Sequence, residues 1–346
     1  MKKGTKIAIA VVIIVAIVAV VIFVVNKNKH QLETYIKPEY NYFAMYSTEG
    51  KVGVVDKTGK VLIKPEYLDV FIHNPSKPVF VCYTNSDSYK FLNGKGEELY
   101  KEYEGVTALQ TSELNLDFEK NVLRFRKDDK YGLIDYDGNI VVSASYDELT
   151  SLKNRPGEIL AKKSDKVGVL DAHGQIKIEL KYDSIIGDEY FTEEYGYTKA
   201  GYIVGTKGEN GFTYGYLNNF AEKVLDGNFE SISRVLKYDD DNVYLIVMTN
   251  GKKGVYKNSK KIIDQNYQNI NYADSSKIFV VKRNSNYGIF NTSGKEILPV
   301  KYKAYNLAGD YISVENVNGQ KELYDVNGNK VSNLNYKSVQ ASRKQE

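Results

Sequence analysis

Lys51-Val52-Gly53-Val54-Val55-Asp56-Lys57-Thr58-Gly59-Lys60-Val61-Leu62-Ile63-Lys64-Pro65-Glu66-Tyr67 is the stretch whose reading decides the fold. Residues 52–55 and 61–63 are short β-branched runs. Asp56 and Gly59 stand between them as the first and fourth residues of a type I turn, so the segment predicts a β-hairpin. The cassette returns at full strength three times: Lys130-Tyr131-Gly132 leads to Tyr146, Lys166-Val167-Gly168 to Tyr182, and Asn286-Tyr287-Gly288 to Tyr302. In all four copies the Tyr follows the Gly by 14 residues. Weaker copies fill the gaps: Lys90 leads to Tyr103, Gly215 to Phe229, Gly254 to Tyr267 and Glu322 to Tyr336. The eight marker positions are thus 53, 90, 132, 168, 215, 254, 288 and 322. Such self-similarity marks stacked copies of one supersecondary unit.

A further apolar stretch precedes the cassettes, as in Val79-Phe80-Val81-Cys82 and Ile278-Phe279-Val280-Val281. A short one follows the closing Tyr, as in Tyr182-Asp183-Ser184-Ile185-Ile186. Three or four antiparallel strands per unit result, and no long helical period occurs after residue 30, so the chain reads as all-β. A Gly inside a strand weakens it unless a neighbour needs the space. The expectation is that a ring lies over Gly53, Gly132, Gly168, Gly215, Gly254 and Gly288. The chain has 30 Tyr and 13 Phe to supply such rings. The closing residues Tyr67, Tyr103, Tyr146, Tyr182, Tyr267, Tyr302 and Tyr336 are expected to pack units together. The alternative use for such rings is to line a glycan or peptide groove.

These cassettes resemble the bacterial WG repeat, a Lys-Trp-Gly-Tyr-Ile-Asp-x-x-Gly-Lys hairpin followed by an apolar strand with Pro and a closing Tyr-Asp. Residues 51–67 and Lys130-Tyr131-Gly132-Leu133-Ile134-Asp135 carry the match, which spans most of 35–339. The chain has no Trp; Val or Tyr stands at that position. The resemblance implies a repetitive β module, often secreted or membrane-tethered, with binding as its default role and no known catalytic residues. Two architectures suit eight units: a seven- or eight-bladed β-propeller, which is favoured, and an open β-solenoid or superhelix. Ile36-Lys37-Pro38-Glu39-Tyr40 copies residues 63–67, and this offset start suits a ring that completes one blade from both termini.

Residues 7–25 contain only Ile, Val, Ala and Phe. As a helix this run spans about 28 Å, enough for the hydrocarbon core. Lys2, Lys3 and Lys6 outweigh Lys27 and Lys29, which puts the N-terminus inside and the repeats outside. The run is longer than a signal peptide's and lacks an Ala-x-Ala site, so an uncleaved anchor in a bacterial cytoplasmic membrane is expected. The organisation is a cytoplasmic tail (1–6), a transmembrane anchor (7–25), a stalk (26–34), a repeat domain (35–342) and a C-terminal tail (343–346).

The net charge is +3, and Lys2, Lys3 and Lys6 account for all of it. A neutral repeat domain argues against nucleic acid, which is bound through basic surfaces. The three His residues, His30, His73 and His173, have no partners at metal-ligand spacing, and the single Cys82 excludes an intrachain disulfide. Asp239-Asp240-Asp241 lacks the spacing of a calcium loop. Adjacent acids such as Glu97-Glu98 and Glu193-Glu194 point to opposite faces of a strand and make no acid/base couple. The expectation is therefore no catalytic site, no metal and no cofactor. What remains is a membrane-anchored module that binds protein or cell-envelope polysaccharide; a glycan-acting enzyme or a self-assembling envelope protein is the alternative. The longest inter-unit segments, 103–130 and 186–214, are the expected seats of specificity, where Asp117, Phe118, Tyr190, Phe191 and Tyr195 combine acid and ring.

Overall fold

The computed structural model describes residues 39–111, 117–192, 196–235 and 242–332. The anchor at 7–25, Tyr195, the acidic run 239–241, Glu193-Glu194 and Tyr336 lie outside them. Among the described residues the only helical element is a single turn at Asp274–Ser276, and no helix is long and apolar enough to cross a membrane.

Eight antiparallel sheets follow one another along the chain, each a meander of consecutive strands. Sheet 1 has three strands, β1 (Tyr42–Tyr46), β2 (Val52–Asp56) and β3 (Val61–Tyr67). Sheet 2 comprises β4 (Asp69–Phe71), β5 (Val79–Tyr83), β6 (Tyr89–Asn93) and β7 (Glu98–Leu99). Sheet 3 is β8 (Gly105–Gln110), β9 (Phe118–Lys127), β10 (Lys130–Asp135) and β11 (Ile140–Tyr146). In sheet 4 are β12 (Glu148–Ser151), β13 (Glu158–Lys163), β14 (Lys166–Asp171) and β15 (Ile176–Tyr182). Sheet 5 holds β16 (Ser184–Thr192), β17 (Gly196–Gly208), β18 (Gly211–Asn218) and β19 (Lys223–Phe229). Then come sheet 6 with β20 (Ser231–Val235), β21 (Tyr244–Thr249), β22 (Lys252–Lys257) and β23 (Lys260–Tyr267), and sheet 7 with β24 (Asn269–Ala273), β25 (Ile278–Arg283), β26 (Asn286–Asn291) and β27 (Glu296–Tyr302). Sheet 8 is β28 (Ala304–Ala308), β29 (Tyr311–Glu315), β30 (Lys321–Asp325) and β31 (Lys330–Ser332). All eight sequence markers fall in the strand before the last, and the predicted cassette hairpin joins that strand to the last one.

The hairpin turn is the one its residues predict. Asp56 Oδ1 accepts the amides of Thr58 and Lys60, and Gly59 donates to Asp56 O with a φ of +87°. Asp135, Asp171, Asn291 and Asp325 repeat the arrangement. The short side chain closes an Asx turn and the Gly takes the left-handed residue. One copy departs: Lys257 pairs Lys260 across two residues, which is where the Gly254-to-Tyr267 interval loses its residue. The preceding hairpins are tighter still. Asp128-Asp129, Ser164-Asp165, Asn250-Gly251 and Asn284-Ser285 all have positive φ, as two-residue type I′ turns require.

The expected ring over the marker Gly is replaced by backbone in most copies. Val167 pairs Tyr182 and Val169 pairs Ile178, so Gly168 alone faces the three residues 179–181. This double bulge arches over the Gly, and a Cβ there would lie 2.5 Å from Ile178 O and 2.9 Å from Glu179 C. Gly53, Gly215 and Gly254 meet the same arch, and Gly288 meets Val300. Only at Gly132 does a ring, Phe125, take part. The physical need is close backbone approach, not ring stacking. It also explains the Lys90 departure. β7 ends at Leu99 before any bulge, and Lys90 is exposed with room for its side chain. The bulges, together with Pro65, Pro299 and the lysines of the last strands, blunt edges that would otherwise template pairing.

Seven buried clusters fill the seven spaces between consecutive sheets. The closing rings sit in them in order: Tyr67 between sheets 1 and 2, Tyr103 between 2 and 3, Tyr146 between 3 and 4, and Tyr182 between 4 and 5. Phe229, Tyr267 and Tyr302 do the same for the last three spaces. After the ring a single residue leads into the next sheet, and where it is Asp, Glu or Gln it holds that sheet's tight turn. Asp147 Oδ2 accepts the Ser164 amide, Asp183 Oδ2 that of Lys207, Glu230 those of Asn250 and Gly251, and Gln268 that of Asn284. The marker Lys pairs with the same acid: Lys130 with Asp147 and Lys166 with Asp183 at 2.6 Å. In sheets 3 and 4, then, the Lys and the Tyr-Asp form one latch onto the next sheet.

The ring closure expected from the N-terminal copy is not made among the described residues. Sheet 1 contains only β1–β3, and no cluster joins it to sheet 8. Asn41 leads directly into the second strand position, so Tyr40 does not occupy the place of the closing rings; it is 55% exposed. Interior second strands such as β25 are buried on both faces, whereas β1 exposes Phe43 at 43% and β29 exposes Tyr311 at 45%. Both ends thus leave one sheet face uncovered by described residues.

Candidate functional site

The described parts of the two longest inter-unit segments are mostly long strands. Residues 118–127 form β9, and residues 184–192 and 196–208 the paired strands β16 and β17, so Tyr190 and Phe191 lie on β16, paired with Thr198 and Tyr197. Asp117 and Phe118 open β9, far along the chain from those two and in a different sheet. The four candidates among the described residues therefore fall in two sheets, Asp117 and Phe118 with sheet 3 and Tyr190 and Phe191 in sheet 5. Phe118 does enter a cavity of about 260 Å³ between sheets 2 and 3.

The cavity exists because sheet 2 is the departing unit. β4 has only three residues, so its partner strands are left partly uncovered. Val81, Tyr83 and Phe91 form one wall, with Phe71 of β4 beside Val81 in register. Val106, Thr107 and Ala108 of β8 form the other, and His73 and Phe118 close one end. The rings brace one another: His73 meets Phe118 edge-on at 4.4 Å, Phe71 meets Tyr83 at 5.7 Å, and Tyr83 meets Tyr89 at 5.4 Å. Tyr89 OH donates to Val106 O at 3.1 Å, and Thr107 Oγ1 accepts from Arg124 Nε at 3.2 Å. Burial, helped by nearby Lys120, lowers His73 to about 4, so the imidazole is neutral at pH 7. The Asp117 carboxylate takes Lys120 Nζ at 2.8 Å and the Phe118 amide at 3.0 Å. In the sequence His73 has no partner at metal-ligand spacing and no motif around it. Its proximity to Phe118 across 45 residues is a tertiary fact.

A second constellation runs through sheets 3 to 6. Arg155, fully buried, donates to Glu158 at 2.7 Å, to Asn219 Oδ1 at 2.8 Å and to Asp188 O at 3.1 Å, and its guanidinium lies 4.2 Å over the Tyr202 ring. Gly187 makes the space, since a Cβ there would lie 2.4 Å from Arg155 Cδ. Glu158 also takes Tyr202 OH at 2.7 Å, Lys177 at 2.9 Å and Lys199 at 3.4 Å. Burial alone would raise Glu158, but Arg155 and the two lysines bring it to about 2. Asp188 Oδ2 receives Tyr216 OH and Arg234 Nε, each at 2.6 Å. Glu119 is pushed up by burial, against hydrogen bonds from Ser151 Oγ and the Gly157 amide. These are mutually satisfied groups that tie sheets together. Glu158 is held ionised, which is the wrong state for a general acid. Among the described residues no group of His, Cys, Asp and Glu is arranged to hold a metal.

The WG containing repeat family matches residues 53–71 and 131–154, which lie in the cassettes of sheets 1 and 3 and include the closing rings Tyr67 and Tyr146. Those two stretches carry WG containing repeats. No curated protein matches it. Among solved structures this WG-repeat chain is similar to a computationally designed protein, Ika8, at 15% identity and TM-score 0.24, covering 85% of this chain and 98% of that one. It is also similar to a eukaryotic initiation factor at 10% identity and TM-score 0.31, covering 86% and 85%. BamB from Moraxella catarrhalis matches at 11% identity and TM-score 0.25, covering 87% of each chain. At these TM-scores none of the three carries an argument about how the eight sheets are arranged.

Proposed function

We propose that this WG-repeat protein is a non-catalytic binding or scaffold module, held by residues 7–25 at the outer face of a bacterial cytoplasmic membrane, with a protein or envelope polysaccharide as its partner. One observation carries the reading: the aromatic cavity between sheets 2 and 3, lined by Phe71, Tyr89 and Phe118 and holding no formal charge. A recess of rings with a few neutral polar groups is suited to recognition and lacks an activated nucleophile or acid/base pair. For the arrangement of sheets, the half-exposed faces of β1 and β29 favour an open superhelix over a ring, and small-angle scattering would separate an elongated particle from a compact disc.

The test uses the full chain in detergent micelles, immobilised and challenged with purified envelope polysaccharide and with solubilised membrane proteins. Retention of one of them, lost in Phe118→Ala, supports the module; equal retention by the variant refutes the cavity as the binding site. External protease on intact spheroplasts tests the topology: repeats that survive until lysis overturn the outward placement.

A further inference from the structure

We propose that the cavity between sheets 2 and 3 is a subsite for a single uncharged pyranose unit of a glycan. This deepens the binding reading and rests on it. The first argument is size. At about 260 Å³ the space is below the roughly 300–1,000 Å³ of pockets for drug-sized ligands, so its occupant is one ring rather than an extended segment. The second is surface. Phe71 and Tyr89 are 37% and 38% exposed, ring carbon that a sugar's apolar C–H face would cover.

The third argument is the kind of polar group present. A hydroxylated ring needs partners that both donate and accept. The neutral His73 imidazole offers one nitrogen of each kind, and neither makes a hydrogen bond within the described structure. The Thr107 hydroxyl accepts from Arg124 and keeps its own proton to donate. Tyr89 OH donates to Val106 O and keeps a lone pair to accept. Tyr83 lines the same space. The fourth is charge. Lys120, which donates to His73 O, and Asp117 neutralise each other at 2.8 Å, and Arg124 donates to Thr107 and to Leu149 O. No charged side chain lines the space, so a carboxylate-bearing sugar or an acidic peptide would meet no counter-charge in direct contact. A proline-rich segment would use the rings, but as an extended helix it needs a channel rather than a one-ring recess.

The experiment is saturation-transfer NMR on the full chain in micelles with four probes: methyl β-glucopyranoside, methyl N-acetyl-β-glucosaminide, methyl β-glucuronide and hexaproline. The expected result is transfer to at least one neutral glycoside, strongest at its ring C–H protons, and none to the glucuronide. Tyr83→Phe and Thr107→Val, which remove one hydroxyl each and keep the volume, should each weaken binding by about tenfold. Urea midpoints of both variants confirm that they fold. Transfer to hexaproline instead, to no probe, or to a neutral glycoside equally in both variants overturns the inference. The module reading is separable. If the immobilised full chain retains a partner through the double variant, the sugar assignment falls and the binding role stands.

Discussion

Gly168→Ala is expected to cost this protein about 1–3 kcal/mol of stability, and the arithmetic comes from one contact. The added Cβ would sit 2.5 Å from Ile178 O, with Glu179 C and Leu180 N at 2.9 Å. All three are backbone atoms of the bulge, so no rotamer change relieves them. The arch must move outward by about half an ångström, against Tyr182, which is packed between sheets 4 and 5. Overpacking of this kind costs roughly 1–3 kcal/mol, and moving backbone adds to it. Against this, Ala in place of a strand Gly returns about 0.5–1 kcal/mol of conformational entropy. Gly105→Ala is the control. It also lies in a strand, at the start of β8, but a Cβ there meets nothing within 4 Å, so the entropic gain alone remains. Urea unfolding followed by far-ultraviolet circular dichroism measures both, and hydrogen exchange locates the loss. The Gly168 variant should have a lower midpoint with faster exchange in sheets 4 and 5, while the Gly105 variant should match or exceed the parent. If Gly168→Ala is within about 0.5 kcal/mol of the parent, or if the two variants fall together, the close-approach explanation of the repeat glycine is wrong.

Other outcomes follow from the same contacts. Arg155→Met should lose about 3 kcal/mol, at the low end for breaking a buried ion pair because Lys177 and Lys199 still neutralise Glu158; a loss below about 1 kcal/mol in urea would mean the network is not cooperative. His73, depressed from 6.5 to about 4, contributes stability that is present above pH 6.5 and fades as pH falls through 4. His73→Phe should flatten the urea midpoint between pH 7 and 4; an unchanged slope refutes a buried neutral imidazole. Glu158, depressed from 4.5 to about 2, acts in a lower window, so its contribution is present above pH 4.5 and is lost toward 2, and Glu158→Gln should remove that acid-side decline. Asp147→Ala frees Lys130 and the Ser164 amide together, and should speed amide exchange at the Ser164-Asp165 turn while leaving sheet 8 unchanged.

Much of the fold was legible because its repeat is a local matter. Strand alternation, the Asp-to-Gly turn and the fixed Gly-to-Tyr interval are properties of a few adjacent residues, and all eight units could be counted from them. The tight turns before each cassette were legible in principle: Asn250-Gly251 is a type I′ signal, but Asp128-Asp129 and Ser164-Asp165 are not distinctive. The purpose of the glycine was misread, because the bulge that needs its space is created by register across two strands and leaves no mark of its own in composition. The candidate site fared least well. Asp117 proved to be half of an ion pair, while His73, Phe71 and Thr107, which line the cavity with Phe118, carry no motif.

By itself the sequence determined the unit: which residues pair, where the turn falls, and which ring closes it, since each follows from interactions spanning fewer than about 20 residues along the chain. Only the tertiary structure decided how the units meet. The latch of Asp147 onto the next turn, the convergence of Arg155, Asp188 and Asn219, and the recess left by a three-residue β4 arise between sheets. The physical reason is that strand periodicity specifies which face of a strand is buried, while what lies against that face depends on a neighbouring unit whose distance along the chain the pattern does not encode.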